Sequence, residues 1–218
     1  MKIVRIWFEK DAECRFISHL DLNRVILRAI HKSKLPVWHT EGFNPHPFAT
    51  FALPLSLGFR GKYECLDVKL DENYPLQDIP DMLNACLPNG ICVYKATDAV
   101  MKAGAIAFAK FNMILEPENV TADVLFDSLD KLLNMQNILV DKKSKSGIKQ
   151  VDIKPYIGEY SLNKAENSVT LDIILPAGSV ENINPSLIVT ALENYFGAKV
   201  FADITRTAIY NSNMDLFI

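Results

Sequence analysis

The chain has 218 residues, 49% of them apolar and 22% charged, with a net charge of −3. That size and make-up can bury a core without disulfide or metal staples, and it excludes a globally basic nucleic-acid binder, so any such contact has to come from a local patch. No run approaches the ~18 apolar residues of a membrane-spanning helix, and MKIVRIWFE (1–9) lacks the continuous apolar segment of a secretory signal, so a cytoplasmic protein is expected.

KIVRIWFEK (2–10) is rich in β-branched and aromatic residues and reads as a strand. Ser18 then opens a helix as its N-cap, with Asp21 three residues on in a variant of the capping box. Leu22, Val25, Ile26, Ala29 and Ile30 recur at helical spacing and should face the core, while Arg24, Arg28, His31 and Lys32 fall on another side. Pro36 ends the helix. PVWHT (36–40) is a short strand, EGFNPHP (41–47) a loop, and FATFALPLSLGF (48–59) an extended run in which Pro54 marks an edge or a bulge. KYECLDVKL (62–70) alternates, with a phase slip between Cys65 and Leu66 that reads as a bulge. IPDMLNACL (79–87) is a helix stopped by PNG (88–90), and ICVYKAT (91–97) is a strand.

The second half repeats the theme. AIAFAKFNMIL (105–115) is a strand, and TADVLFDSLDKLLNM (121–135) is a helix capped by Thr121, with Val124, Leu125, Leu129, Leu132 and Leu133 on its apolar stripe. NILVDKK (137–143) opens a strand that runs into a lysine-rich segment. EYSLN (159–163) and SVTLDIILP (168–176) form a hairpin around KAEN. NPSLIVTALENYFG (184–197) is a helix with Gly197 just past its end, and AKVFADITRTAIYN (198–211) is the last strand. The order predicts an α+β protein of two tandem ferredoxin-like (βαββαβ) domains, 1–100 and 104–218, the first with an extra strand or hairpin.

Cys14, Cys65, Cys86 and Cys92 are scattered, with no C-x-x-C pair and no iron–sulfur spacing, and read as buried reduced thiols. All four histidines, His19, His31, His39 and His46, lie in the first 46 residues. His19, His39 and His46 with Asp21 or Glu41 could form a metal or acid–base cluster. No pair has i,i+4 spacing on one helix and no ligand signature matches, so neither a metal nor a cofactor is expected. The alternative for His19 or His46 is service as a general acid or base.

The loop EGFNPHP favours a different reading. Gly42 permits a positive φ or a close backbone approach, and Pro45 and Pro47 bias Asn44 and His46 toward extended conformations. Phe43 and His46 then become planar groups on a stiff support, able to stack on a base or pack on a partner at little entropic cost. The blander alternative has Phe43 plugging the core and Asn44 capping a turn. Arg15 precedes the first helix, and Arg24, Arg28 and Lys32 line it at i,i+4 spacing; they form either a solvated face or a phosphate-tracking stripe. Lys142, Lys143, Lys145 and Lys149 in DKKSKSGIKQ (141–150) make a solvated hairpin tip or an arm that closes on an anionic chain. Arg206, between Thr205 and Thr207, is a further possible phosphate contact, or a member of a cross-strand polar pair.

Three stretches, RFISHLDLNRVILRAI (15–30), EGFNPHPFATFALPLSLG (41–58) and VDIKPYI (151–157), resemble the radical-SAM-associated domain family of bacteria. In that family the domain stands alone or follows a cobalamin-binding radical-SAM-like domain. The resemblance implies a radical-SAM partner and leaves the activity of this chain open. Because this chain lacks three closely spaced cysteines to hold a cluster, the reactive cofactor would reside in that partner. The tandem architecture is also similar to that of the repeat-associated CRISPR RNA endonucleases, but the glycine-rich loop those proteins carry near the C-terminus has no counterpart at 198–218. Two functions are therefore expected in competition. One is a non-catalytic module that binds RNA or a ribonucleoprotein, or docks protein, for a radical-SAM partner. The other is an RNA-processing enzyme using His19 or His46.

Overall fold

The structure, a computed structural model, describes residues 1–70, 74–144 and 147–218, without the side chains of 142–144. Among the described residues it is an α+β protein with four α-helices and ten strands, in two compact units. One unit is Met1–Ala105 with Phe217–Ile218, and the other is Ile106–Leu216.

The first unit begins with β1 (Lys2–Lys10), followed by α1 (His19–Ser33), β2 (Ala49–Phe51), β3 (Arg60–Leu70), α2 (Ile79–Asn84) and β4 (Ile91–Asp98). The strands run β4-β1-β3 with β2 on the far edge of β3, every pair antiparallel. Ser18 accepts the Asp21 amide and caps α1 as its residue type requires, and Lys34 closes the helix in the left-handed region at φ 58°. Leu22, Ile26, Ala29 and Ile30 of α1 pack with Val4, Ile6 and Phe8 of β1 and Leu66, Val68 and Leu70 of β3.

The other face of β1 is built around a buried charge. Arg5, fully buried, forks onto both carboxylate oxygens of Asp67 at 2.8 and 2.9 Å and donates to the Met101 carbonyl at 2.6 Å. Phe217 covers it, its ring centroid 4.2 Å from the guanidinium, and Trp7 and Tyr63 stack alongside at 4.7 Å. The Phe217 carbonyl accepts from the Tyr63 hydroxyl at 3.0 Å. A planar fork matched to a carboxylate is the arrangement that makes a buried arginine tolerable.

Several expectations are corrected here. PVWHT is not a strand: it makes only the isolated bridges Val37↔Leu70 and His39↔Pro47. The extended run after Phe48 pairs for three residues and then bends away at Ala52–Leu53. Cys65 and Leu66 are both buried, but because the sheet is covered on both faces. The register break lies between Gly61 and Glu64, which face Lys10 and Phe8. α2 is shorter than the predicted span and ends at Asn84.

The second unit contains β5 (Ile106–Pro117), α3 (Ala122–Leu133), β6 (Leu139–Ser144), β7 (Gly147–Asp152), β8 (Tyr160–Lys164), β9 (Val169–Pro176), α4 (Ser186–Phe196) and β10 (Val200–Asn211). Its strands run β10-β5-β9-β8, again antiparallel, while β6 and β7 pair as a separate hairpin. The additional hairpin is thus in the second unit rather than the first, because β6 turns back on β7 instead of joining the sheet. Thr121 caps α3, and Gly197 ends α4 at φ 74°, a conformation that costs glycine nothing. Leu125, Leu129, Leu132 and Leu133 are buried, whereas Val124 is exposed: it lies one residue outside the stripe that meets the sheet.

Asp152 pins the exit of β7. Its carboxylate accepts from the Asn137 side chain at 2.7 Å and from the Ile138 and Lys154 amides at 2.8 and 3.0 Å. These bonds, the Asn137 one first, hold its pKa below the ordinary carboxylate value.

Two predictions come from this packing. Asp67→Ala strands Arg5 without its counter-ion, so unfolding by urea should show a loss of about 3–5 kcal/mol; a loss under about 1 kcal/mol contradicts the pairing. Asp152, with its folded pKa depressed, contributes stability above about pH 4 that is lost as pH falls through the folded value. The urea midpoint should therefore drop between about pH 5 and pH 3, and Asp152→Asn should flatten part of that slope. An unchanged slope contradicts the role given to Asp152.

Candidate functional site

The loop between α1 and β2 is the best-defined exposed feature of the first unit. Its base is tied to β3: the Trp38 amide donates to the Lys69 carbonyl at 2.6 Å, and the Lys69 ammonium lies 4.4 Å from the Trp38 ring. The Phe48 amide closes onto the Trp38 carbonyl at 2.9 Å, and the Phe48 and Trp38 rings sit 6.2 Å apart. One step further out, the Thr40 amide donates to the His46 carbonyl at 2.9 Å, and the His46 amide donates to Thr40 Oγ1 at 3.2 Å.

The His46 ring completes the closure. Its Nδ1 lies 3.1 Å from the Asn44 carbonyl oxygen and 3.1 Å from Thr40 Oγ1. A carbonyl oxygen only accepts, so Nδ1 must carry the proton. The neutral ring then has its lone pair on Nε2, and His46 is exposed. At the tip, 41–45, Gly42 takes φ 133°, and Phe43 is fully solvent-exposed at 106%. The alternative in which Phe43 plugs the core is excluded. Glu41 and Asn44 are exposed beside it.

The helix α1 presents the basic residues. Arg24, Arg28, His31 and Lys32 are exposed, opposite the buried stripe. Arg24 is not unengaged, since its guanidinium meets Asp21 at 2.9 Å. Asp21 also accepts from the Ser18 hydroxyl at 2.7 Å, and these two bonds, Ser18 first, hold its carboxyl below the ordinary value. Arg15 is half-buried, with its guanidinium 4.8 Å from the Phe16 ring. Its carbonyl and that of Ile17 accept from the buried ammonium of Lys10 at 3.3 and 3.2 Å, which fixes the entry to α1.

His19 and His46 have different surroundings. His19 is half-buried and packs edge-on against Phe51, with centroids 4.9 Å apart, whereas His46 stands on the loop. Among the described residues no three His, Cys, Asp or Glu side chains are grouped to hold a metal, so the cluster of His19, His39 and His46 with Asp21 or Glu41 is not assembled.

The remaining candidates lie in the second unit. Lys149 is exposed on β7. The side chains of Lys142 and Lys143, and Lys145 altogether, lie outside the described residues. Arg206 is 3% exposed, which removes it as a surface phosphate contact: on β10 it pairs opposite Phe111, whose side chain is buried. Sequence reasoning missed Thr40, the pivot of the loop. Its signal was the Thr-x5-His spacing across a glycine–proline turn.

A family model described as "uncharacterized protein conserved in bacteria" (DUF2344) matches residues 4–185, so the chain belongs to that family. No curated protein matches it. Among solved structures, a chain of a Cbf5–Nop10–Gar1 complex aligns over 94% of this chain and 48% of its own, with TM-score 0.54 and 11% identity. This chain thus spans about half the length of that neighbour, and the likeness is one of fold alone. An unknown protein from Galdieria sulphuraria aligns over 94% of this chain and 98% of its own at 11% identity and TM-score 0.25.

The tautomer and the closure are both measurable. Long-range 1H–15N spectra at neutral pH should show His46 protonated at Nδ1. Thr40→Val should speed hydrogen exchange of the His46 amide by about fivefold, from loss of a hydrogen bond of about 1 kcal/mol. A ring protonated at Nε2, or an unchanged exchange rate, contradicts the closure.

Proposed function

We propose that this member of the bacterial family is a non-catalytic, cytoplasmic binding module that presents single-stranded RNA to a radical-SAM partner, with the 40–46 loop as its docking element. The observation that carries the reading is Phe43, fully exposed on a segment held shut by Thr40, Asn44 and His46. A large exposed aromatic ring on a closed loop has no folding role, and stacking on an unpaired base is a use for which its entropy is already spent. The exposed Arg28 and Lys32 of α1 supply cationic groups in the same unit. The radical-SAM partnership rests on the resemblance carried by residues 15–30, 41–58 and 151–157. The strand order of each unit, with first and third strands central and the fourth beside the first, supports reading each as ferredoxin-like, the second with an inserted hairpin.

A second reading is supported by one observation. With Nδ1 engaged, His46 directs an open, basic Nε2 to solvent, as a general base for RNA cleavage requires.

Fluorescence anisotropy with a single-stranded RNA oligonucleotide separates these readings. Phe43→Ala should lower affinity by about 1–3 kcal/mol, and the parent chain should bind the RNA and leave it intact. RNA cleavage by the parent chain that His46→Ala abolishes supports the enzyme instead. No affinity at low salt removes both and leaves protein docking.

A further inference from the structure

The second unit carries a pocket that the loop reading does not use. It holds about 340 Å3 and is walled by Phe108 of β5, Ile174 of β9, Tyr156 and Met214. Glu159 and Ile174 also line a second hollow of about 200 Å3, so the two adjoin; Lys110 and Asp172 are among the other residues lining that second chamber. Phe108 and Lys110 are two apart on β5, as are Asp172 and Ile174 on β9, so strand alternation puts all four on one face of the sheet. The buried neighbours Ala109, Phe111, Ile173 and Leu175 point the other way.

Two features mark the pocket as built. Met214 is a non-glycine residue at φ 65°, a conformation that needs outside support. The turn around it supplies that support: Asn211 Oδ1 accepts from the Asn213 and Asp215 amides at 2.9 Å each, and Asn211 Nδ2 donates to Asp215 at 3.0 Å. Tyr156 comes from the short helix Lys154–Tyr156 that Asp152 caps through the Lys154 amide. Both walls are thus held by carboxylate or amide side chains whose bonds serve only to position them.

The charges in the second chamber are mixed. Among the described residues no hydrogen bond or ion pair engages the Lys110 ammonium or the Glu159 carboxylate, although both line it. Asp172 receives one bond, from Asn112 at 3.0 Å, on one oxygen. One ammonium and two carboxylates that do not satisfy one another, beside an aromatic and thioether hollow, complement a ligand with an anionic group, a cationic group and a bulky apolar arm. We propose that this double pocket binds a free α-amino acid with an aromatic or large apolar side chain. Its carboxylate meets Lys110, its ammonium meets Glu159 and Asp172, and its side chain lies between Phe108, Tyr156 and Met214. A ligand that carries both charges engages both signs of this lining, which selects it over either singly charged analogue.

Calorimetric titration of the full chain with L-phenylalanine and L-tryptophan tests this. At least one should bind saturably, with phenethylamine and 3-phenylpropionate, which each lack one charge, weaker by about tenfold or more. Lys110→Met should erase the preference over phenethylamine, and Glu159→Gln, which leaves Asp172 in place, should reduce the preference over 3-phenylpropionate. Both positions are partly or fully solvent-exposed, so the fold survives either change. Binding of neither amino acid, binding indifferent to both substitutions, or binding of adenosine alone overturns the assignment.

Discussion

The hydrogen bond from His46 Nδ1–H to the Asn44 carbonyl is the contact on which the exposed loop depends. It is short-range, joining residues two apart across Pro45, and it works only because the flanking prolines already hold the backbone extended. Thr40 adds its hydroxyl to the same ring and to the His46 amide, so one threonine ties the two arms together from both the backbone and the side chain. Below them the Trp38–Phe48 pair and the Lys69 contact anchor the base to β3. With both arms fixed, the intervening residues carry Phe43 out into solvent.

The same unit shows what the protein does with charge where no partner is needed. Arg5 and Lys10 are both buried, Arg5 engaged by a carboxylate and Lys10 by backbone carbonyls. Arg5, near the middle of β1, holds the sheet's covered face, and Lys10, at its end, holds the entry to α1. Charges on α1 behave otherwise. Arg24 is engaged by Asp21 at the surface, a pairing worth little in water, while Arg28 and Lys32 extend to solvent. The division between structural and available cations therefore follows burial and not residue type.

Much of the scaffold was legible in the sequence. Ser18, Thr121 and Gly197 punctuate helices as their side-chain chemistry dictates, and the 3.6-residue repeat identified the buried faces of α1 and α3 with the exception of Val124. Strand positions were also readable, since Val, Ile and Phe dominate them. What failed depended on tertiary context. Whether PVWHT paired as a strand was decided by where β3 lay. Arg206, flanked by threonines, could be read as a phosphate contact or as a member of a cross-strand polar pair, because sequence carries no information about which face of β10 is covered. The double pocket was invisible because its walls come from β5, β9, the turn at 156 and the turn at 214.

Backbone 15N relaxation of residues 40–46 tests most directly whether this loop is a preformed element. Order parameters near 0.85, matching those of β3, are the expected result, with Gly42 and Phe43 no more mobile than Thr40 and His46. Values below about 0.6 across the tip would contradict the account, because a ring on a mobile segment is merely unburied and has not been placed for a partner.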